Sequence, residues 1–283
     1  MCPLSPRNRP FHQVDVFSDR PYFGNPLAVV VDAEGLDSGT MQRFANWTNL
    51  SETTFLLPPT HPDADYRVRI FTGSEEFPFA GHPTLGSAHT WLQAGGVPKS
   101  AGVVVQECGA GLVRVKHDGG RLAFAAPPLT RFGPVEDSVR KQLAAGLRVS
   151  EDDILDASWL VNGPAWIGVL LESADQVLGL EPDMFALGDL KVGVIGPYPA
   201  GSEVDFEVRT FFPGDAMIED PVTGSFNAGA AQWLIGSGRA PEAYVAAQGT
   251  VLGRAGRIHV KAEGDQVWVG GDSTTCIQGT VLL

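Results

Sequence analysis

The sequence predicts an α+β protein made of two similar halves, because one strand–loop–helix pattern occurs twice in the chain. The first copy runs from Tyr66 to Gly95 and the second from Val204 to Gly238. Matching positions recur in the same order, roughly 140 residues apart, which indicates a duplicated domain. They are Arg69 and Phe71 with Arg209 and Phe211, His82-Pro83 with Asp220-Pro221, Gly86-Ser87 with Gly224-Ser225, and Trp91-Leu92 with Trp233-Leu234.

The spacing of apolar residues identifies the elements of each copy. Residues 204–208 alternate apolar and polar side chains, which predicts a strand. Residues 226–234 carry apolar side chains at helical spacing, and the glycines at 236 and 238 then end the helix. Each copy therefore predicts a strand followed by a buried helix.

A β-hairpin is predicted downstream of each helix. Residues 111–124 and 256–269 alternate apolar and polar side chains around a Gly-containing turn, as in a half-exposed hairpin. A glutamine precedes each segment, Gln106 in the first copy and Gln248 in the second. The duplication thus extends beyond the helices.

The Pro pair at 127–128 indicates a linker between two lobes. We predict an N-terminal lobe at 1–127 and a C-terminal lobe at 128–274, with a last strand at about 275–283 packing back on the first lobe. The C-terminal lobe is also expected to contain a surface helix at 135–146 and a buried strand at 159–171, interrupted by Asn162-Gly163-Pro164. Each lobe is predicted as a curved sheet around a helix, with a ligand cleft between the two lobes.

Composition and charge exclude several classes of protein. A net charge of −13 disfavours nucleic acid as a partner, because phosphate binding needs a surplus of Lys and Arg. No apolar stretch approaches about 18 residues, so no membrane span is expected. The start of the chain lacks an apolar signal region, and Cys2, Cys108 and Cys276 are few and far apart. A reducing cytoplasm is the expected location, with Cys108 and Cys276 as buried thiols.

His82 and Asp220 are the first candidate site residues, because they hold matching positions in the two copies. Each precedes a Pro that is expected as the first helical residue. Helix capping alone would explain Asp220 as well as a functional role would, since Asp is among the best N-caps. Histidine is a weaker cap, which favours a functional role for His82.

The two helix starts also predict anion-binding groups. Backbone N–H groups of Gly81, Thr223, Gly224 and Ser225 would lie where a helix has unsatisfied donors and the positive end of its dipole. Such donors could hold the carboxylate of a substrate. The alternative is two ordinary N-terminal turns whose glycines permit close packing.

Glu52 is the candidate acid or base. If residues 49–57 form a strand, Glu52, Thr54 and Leu56 point to one face. Spacing alone favours a solvated Glu at such a strand start. If the side chain faces an apolar cleft instead, desolvation would raise its pKa from about 4.3 towards the range useful for proton transfer.

Other chemistries lack their sequence patterns. Ser225, His82 and Asp220 could be imagined as a hydrolase triad, but Ser225 is not in a G-x-S-x-G context. The histidines show neither H-E-x-x-H nor H-x-H, so no metal site is expected. Neither G-x-G-x-x-G after a strand nor G-x-x-x-x-G-K-[ST] is present, so no nucleotide cofactor is expected either.

Several stretches together resemble the PhzF-like proteins of phenazine biosynthesis, over nearly the whole chain. Their joint order is specific for that family, though not for one substrate. The stretches are Gly24–Val29, Asn49–Leu57, Pro78–Gly86, Asn162–Pro164, Glu219–Ser225, Gln248-Gly249 and Gly253-Arg254.

The resemblance implies the diaminopimelate epimerase fold, which has two pseudo-symmetric domains, each a curved, mostly antiparallel sheet around a central helix, and is usually a homodimer. It also implies an isomerase that needs no metal, flavin or nucleotide. In the phenazine enzyme a proton moves along the ring of a dihydro-hydroxyanthranilate. The acid–base Glu of the family falls on Glu52, and its substrate-contacting His, Asp and Ser fall on His82, Asp220 and Ser225.

Two differences narrow this resemblance. Racemases of the same fold carry cysteines at the equivalents of His82 and Asp220, where this chain has none, so two-cysteine racemisation is not expected. Many relatives have Pro where this chain has Gly73, and Pro-Ser where it has Ala255-Gly256. These departures lie near the expected cleft and leave the substrate open.

The functional hypothesis is a cofactor-independent isomerase in which Glu52 shifts a proton on a small carboxylate-bearing metabolite, such as a cyclic amino or hydroxy acid. His82 and Asp220 are placed in the catalytic set, with Gly81, Thr223, Gly224 and Ser225 binding the substrate. One alternative is a non-catalytic protein that binds small acids. Another is a dehydratase or epimerase on the same fold.

Overall fold

A computed structural model describes residues 6–118, 120–213 and 218–283, so Cys2 lies outside the described residues. The chain divides into two compact units. The N-terminal unit comprises Met1–Ala125 together with Gly270–Leu283, and the C-terminal unit comprises Ala126–Val269. Each unit is described by itself below.

The N-terminal unit alternates strands with two longer helices. In chain order its elements are β1 (Asn8–Val16), β2 (Asn25–Val30), α1 (Ser38–Thr48), β3 (Thr53–Leu57), β4 (Tyr66–Phe71), β5 (Glu76–Phe77), α2 (Gly81–Gln93), β6 (Val103–Cys108), β7 (Gly111–Asp118) and β8 (Arg121–Ala125).

The C-terminal unit repeats this alternation with additional short helices. Its elements are β9 (Arg131–Pro134), α3 (Asp137–Leu147), a 3-10 turn (Glu151–Asp153), β10 (Asp156–Val161), β11 (Ala165–Leu170), α4 (Ala174–Leu178), α5 (Met184–Leu187), β12 (Lys191–Pro197), β13 (Phe206–Phe211), α6 (Gly224–Gly236), β14 (Ala243–Gln248), a 3-10 turn (Thr250–Leu252), β15 (Gly256–Glu263) and β16 (Gln266–Gly271). Strand β17 (Ser273–Leu282) follows and belongs to the N-terminal unit.

Both units have the same sheet topology. The N-terminal sheet runs β17-β1-β2-β3-β4-β6-β7-β8, with β2–β3 and β4–β6 parallel and the other pairs antiparallel. The C-terminal sheet runs β9-β10-β11-β12-β13-β14-β15, with β11–β12 and β13–β14 parallel. Helix α2 packs along the first sheet and α6 against the second. Two mostly antiparallel sheets, each packed on a central helix, confirm the predicted α+β class and the duplication.

Side-chain contacts repeat as well. In the N-terminal unit, Arg69 forms a two-pronged ion pair with Glu76, at 2.7 and 2.5 Å, and its guanidinium lies 5.0 Å from the Phe71 ring. In the C-terminal unit, Arg209 forms the same kind of pair, with both distances to Glu219 at 2.8 Å. The Arg-x-Phe match in the sequence therefore marks one recurring structural feature, an Arg on a central strand that holds the loop before the helix.

Helix α6 is buried along most of its length because it is apolar on all sides. A glycine on the facing sheet allows the helix to approach closely. On β12, an added Cβ at Gly193 would lie 2.1 Å from the Phe226 ring, so only glycine leaves room for that ring. The apolar positions predicted for this helix are all buried.

The predicted starts of α2 and α6 were wrong by several residues. Helix α2 begins at Gly81 with Ala80 as its N-cap, which makes Pro83 the third helical residue. Helix α6 begins only at Gly224, so Asp220 lies outside it and is not its cap. Proline is tolerated throughout the first turn, because N–H groups there have no acceptor in the helix, and its position therefore does not determine where a helix begins.

Most of the remaining predictions of helices and strands are confirmed. The surface helix predicted at 135–146 is α3. The single interrupted strand predicted at 159–171 is instead two antiparallel strands, β10 and β11, which are joined by a turn. The predicted hairpin segments contain β7 with β8 and β15 with β16. Cys108 and Cys276 are free thiols but only partly buried, contrary to prediction. In the described parts of the chain, no helix is long and apolar enough to cross a membrane.

Candidate active site

Glu52 and His82 lie together in the N-terminal unit. Oε2 of Glu52 is 3.4 Å from Nε2 of His82, and the two side chains are only 14% and 6% exposed. Glu52 occupies the turn between α1 and β3, where Asn49 adopts a left-handed conformation and ends α1. The predicted strand at 49–57 therefore begins only at Thr53, and Glu52 projects from a turn.

His82 is a neutral side chain in this setting. It is the second residue of α2, and burial lowers its pKa from 6.5 to about 3. On the other side of the ring, Asn25 Nδ2 lies 3.5 Å from Nδ1. With the amide N–H of Asn25 as the donor, Nδ1 is the acceptor and the ring proton lies on Nε2, the nitrogen nearest Glu52. The imidazole thus places an uncharged ring nitrogen close to the carboxylate, within ion-pair distance but without a hydrogen bond between the two atoms.

The buried His82 predicts a loss of stability in mild acid. Below pH 6.5 the unfolded chain binds a proton that the folded imidazole does not bind until about pH 3, so unfolding becomes easier as pH falls between those values. At pH 5 this group alone would cost about 2 kcal/mol. Urea denaturation at pH 7 and pH 5 measures the drop, which His82→Gln should reduce. His61→Gln, at an exposed histidine, is the control, and an equal drop in the parent and His82→Gln would contradict the assignment.

Asn25 is a site residue that the sequence reasoning did not single out. It begins β2 and is fully buried. The preceding Gly24 donates its N–H to Asp15 Oδ2 at 3.3 Å, and a Cβ at Gly24 would lie 2.4 Å from the carbonyl oxygen of Val16. Only glycine allows this close approach of two backbones, which sets the position of Asn25 beside His82. The signal available in the sequence was its place in the first family stretch.

The start of α2 provides N–H donors beside this pair. The first hydrogen bond of the helix runs from Thr84 N–H to the carbonyl oxygen of Ala80. The N–H groups of Gly81 and His82 precede it and have no acceptor within the helix, and Pro83 has no N–H. An anionic group placed here would meet two backbone donors and the positive end of the helix dipole.

Asp220, Thr223 and Ser225 lie together in the C-terminal unit. Asp220 is 8% exposed, and its Oδ2 accepts a hydrogen bond of 2.6 Å from the hydroxyl of Thr223. Ser225 is the second residue of α6, and its Oγ accepts from the indole N–H of the fully buried Trp166 at 3.0 Å. Because the indole can only donate, the hydroxyl proton of Ser225 is available to donate elsewhere. This set combines a carboxylate acceptor with a hydroxyl donor.

Aligning the two helices at their first residues matches His82 with Ser225, and not with Asp220 as the repeat in the sequence suggested. His82 and Ser225 are both the second residue of a 13-residue helix, whereas Asp220 lies in the loop before α6. The loop position follows from a backbone hydrogen bond of 3.2 Å, in which Asp220 N–H donates to the carbonyl oxygen of Thr210 on β13. Asp220 is thus held by the sheet rather than by the helix.

A buried glutamine supports each helix start. Gln106 accepts from the hydroxyl of Tyr66 at 2.8 Å and donates to Thr84 in α2 at 3.0 Å. Gln248 contacts Thr223 and Asp220 beside α6. The matching glutamines were visible in the sequence, but their role was not.

Metal-ligand geometry is not seen among residues 6–118, 120–213 and 218–283, where no three His, Cys, Asp or Glu side chains are grouped to hold an ion. Of the predicted site residues, Glu52, Gly81 and His82 come together in one unit, and Asp220, Thr223, Gly224 and Ser225 in the other. A shared cleft for both sets stays a prediction.

Comparison with known proteins supplies the class of the chain. A trans-2,3-dihydro-3-hydroxyanthranilate isomerase of Pseudomonas aeruginosa is 33% identical over 95% of this chain and 98% of its own. Antisense-enhancing sequence 1 of Schizosaccharomyces pombe is 36% identical, over 96% of this chain and 98% of its own. A crystal structure of a PhzF-family phenazine biosynthesis protein from Enterococcus faecalis covers 98% of this chain and 100% of its own, with a TM-score of 0.81 and 26% identity.

The duplicated α+β fold and the isomerases among its relatives define the chain as an enzyme of the isomerase class. It belongs to the family of phenazine biosynthesis-like proteins, whose family model matches residues 14–279. The family resemblance read from the sequence is therefore confirmed. The roles of individual residues, the homodimer, the cytoplasmic location and the lack of a nucleic-acid partner stay predictions.

Proposed function

We propose that this enzyme is a cofactor-independent isomerase that moves a proton between two carbons of a small carboxylate-bearing metabolite, with Glu52 as the acid–base group. One observation carries the proposal: Glu52 is largely shielded from water and lies 3.4 Å from the ring nitrogen of a neutral histidine. A carboxylate in such a setting is a directed base rather than a solvated surface charge.

The proposed step needs no external oxidant or reductant. Glu52 takes a proton from an activated C–H, and the electron pair of that bond shifts into the adjoining conjugated system. The protonated Glu52 then returns a proton to another carbon, which leaves a shifted double bond and the original carboxylate. The neutral ring of His82 lies beside the carboxylate, and the N–H groups at the start of α2 would stabilise negative charge on the substrate.

The C-terminal set has chemistry that suits the heteroatoms of such a substrate. Asp220 can accept from an amine or hydroxyl group, and Ser225 can donate to a carboxylate or carbonyl. Thr223 orients Asp220 through its hydroxyl, and Gly224 contributes a helix-start N–H. We assign these residues to substrate binding on that basis.

The first candidate substrate is trans-2,3-dihydro-3-hydroxyanthranilate, which the Pseudomonas aeruginosa relative is named for. Its carboxylate, amine and hydroxyl match the donors and acceptors described above. The chain departs from the family pattern at Gly73 and at Ala255-Gly256, so a different cyclic amino or hydroxy acid is the natural second class to test.

The test is incubation of the purified protein in deuterated water with trans-2,3-dihydro-3-hydroxyanthranilate and a panel of cyclic amino and hydroxy acids. Chromatography with mass spectrometry should show an isomer of unchanged composition, with deuterium at carbon in the product or the recovered substrate. Saturable binding with neither isomer nor deuterium would identify a binding protein instead. Loss of water would indicate a dehydratase, and inversion at one carbon an epimerase.

A further inference from the structure

The side-chain amide of Gln248 forms hydrogen bonds with the backbone of Asp220 and with groups at the start of α6. Gln248 is the last residue of β14 and is fully buried. Its Oε1 accepts from the backbone N–H of Thr223 at 3.0 Å and from Asn227 Nδ2 at 2.9 Å, while its Nε2 donates to the carbonyl oxygen of Asp220 at 3.1 Å. Because a backbone N–H only donates and a carbonyl only accepts, the amide has a single possible orientation.

Two threonine hydroxyls connect this amide with the carboxylate of Asp220. Thr223 lies 2.6 Å from Oδ2 and must donate to it, since an ionised carboxylate only accepts. The one hydroxyl proton of Thr223 is then used, so Thr210, also 2.6 Å from Thr223, must donate to Thr223. Nε2 of Gln248 also lies 3.0 Å from both hydroxyl oxygens, which share the N–H that is not used by the carbonyl oxygen of Asp220. Donors therefore run from Gln248 through Thr210 and Thr223 to Asp220.

This chain of donors cannot run in the opposite direction. A proton on Oδ2 of Asp220 would make Thr223 the acceptor there and would turn the proton of Thr223 towards Thr210. The proton of Thr210 would then face the amide nitrogen of Gln248, which has no lone pair to accept it. The chain therefore favours an Asp220 whose Oδ2 carries no proton, and hydrogen bonds aligned in series strengthen one another.

We propose that Gln248 is a positioning residue that holds Asp220 as an ionised hydrogen-bond acceptor. The assignment of Asp220 to the substrate rests on the proposed function. For that contact, the inference specifies that Asp220 binds an amine or hydroxyl donor of the substrate. Charged side chains among the described residues also lie near this loop. Glu219 is paired with Arg209, and Arg254 lies next to Gly249, whose added Cβ would be 2.8 Å from Arg254 Cβ and 2.7 Å from the carbonyl oxygen of Pro221.

The decisive measurement needs no substrate. Protein labelled with carbon-13 at the aspartate carboxyl carbons is titrated by NMR, and the Asp220 signal is identified by its loss in Asp220→Asn. In Gln248→Met, which keeps the length of the side chain but has no N–H, the titration midpoint of Asp220 should move to higher pH. Gln248→Leu also lacks an N–H and adds no charge, so it should move the midpoint in the same direction if the methionine variant does not fold.

Gln106→Met is the matched control, because Gln106 is equally buried and supports the other helix start. It should leave the Asp220 midpoint where it is in the parent. Unchanged midpoints in both Gln248 variants would overturn the inference. With an active substrate, the acid limb of kcat/KM should move with the midpoint. A higher titration midpoint in a protein without isomerase activity would contradict the proposed function but would still support the role of Gln248.

Discussion

Replacing Glu52 with glutamine is expected to lower the isomerisation rate about 1000-fold or more. The amide keeps the shape of the side chain beside His82, 3.4 Å away in the parent, but it cannot take up a proton from carbon. Steady-state rates on whichever substrate the deuterium assay identifies measure the loss. The melting temperature should stay close to that of the parent, which separates lost chemistry from lost structure.

Glu76→Gln provides a matched control for this variant. Glu76 belongs to the same unit and is also paired with a basic side chain, Arg69, but it is 41% exposed. The rate of Glu76→Gln should equal that of the parent. If Glu52→Gln retained the parent rate, Glu52 could not be the base. The side chain would then have a structural role, and another group would have to supply the proton transfer.

Replacing Glu219 with glutamine is expected to lower the free energy of unfolding by about 3 kcal/mol. Glu219 and Arg209 are 12% and 5% exposed, and the guanidinium also donates to the carbonyl oxygen of Leu180 at 2.7 Å. Removing the negative charge leaves an uncompensated cation in the C-terminal unit. Urea denaturation followed by tryptophan fluorescence measures the loss.

The duplicated fold supplies the comparison for this prediction. Arg69 and Glu76 make the same ion pair in the N-terminal unit with 24% and 41% of their side chains exposed. Water can therefore solvate Arg69 after Glu76→Gln, and the free energy of unfolding should fall by less than about 1 kcal/mol. Equal losses in the two variants would show that burial does not set the strength of these pairs.

Local patterns were sufficient for much of the secondary structure. The apolar spacing of residues 226–234 predicted α6, because a helix buried on all sides must be apolar around its circumference. Alternation predicted the strands at 111–124, since neighbouring side chains of a strand face opposite sides. The duplication was visible because the Arg-x-Phe pair and the glutamine before each hairpin recur in both copies.

Helix starts and strand starts were harder to predict from the sequence. The match between His82-Pro83 and Asp220-Pro221 suggested that both prolines open a helix, yet Asp220 belongs to a loop held by β13. Likewise, Glu52 precedes β3 because Asn49 turns the chain at the end of α1. Backbone hydrogen bonds to distant strands decide such boundaries, and a residue string does not contain them.

The sequence by itself determined the duplicated α+β architecture, the family and the candidate residues, because these depend on local periodicity and on the order of motifs. Only the tertiary structure decided which groups meet. It placed Glu52 within 3.4 Å of His82 and gave that histidine a neutral ring, and it buried Gln248 where its N–H groups point towards the acceptors around Asp220. Distance, burial and donor direction arise from packing between segments far apart in the chain, and they turn a list of polar residues into a proposed acid–base site.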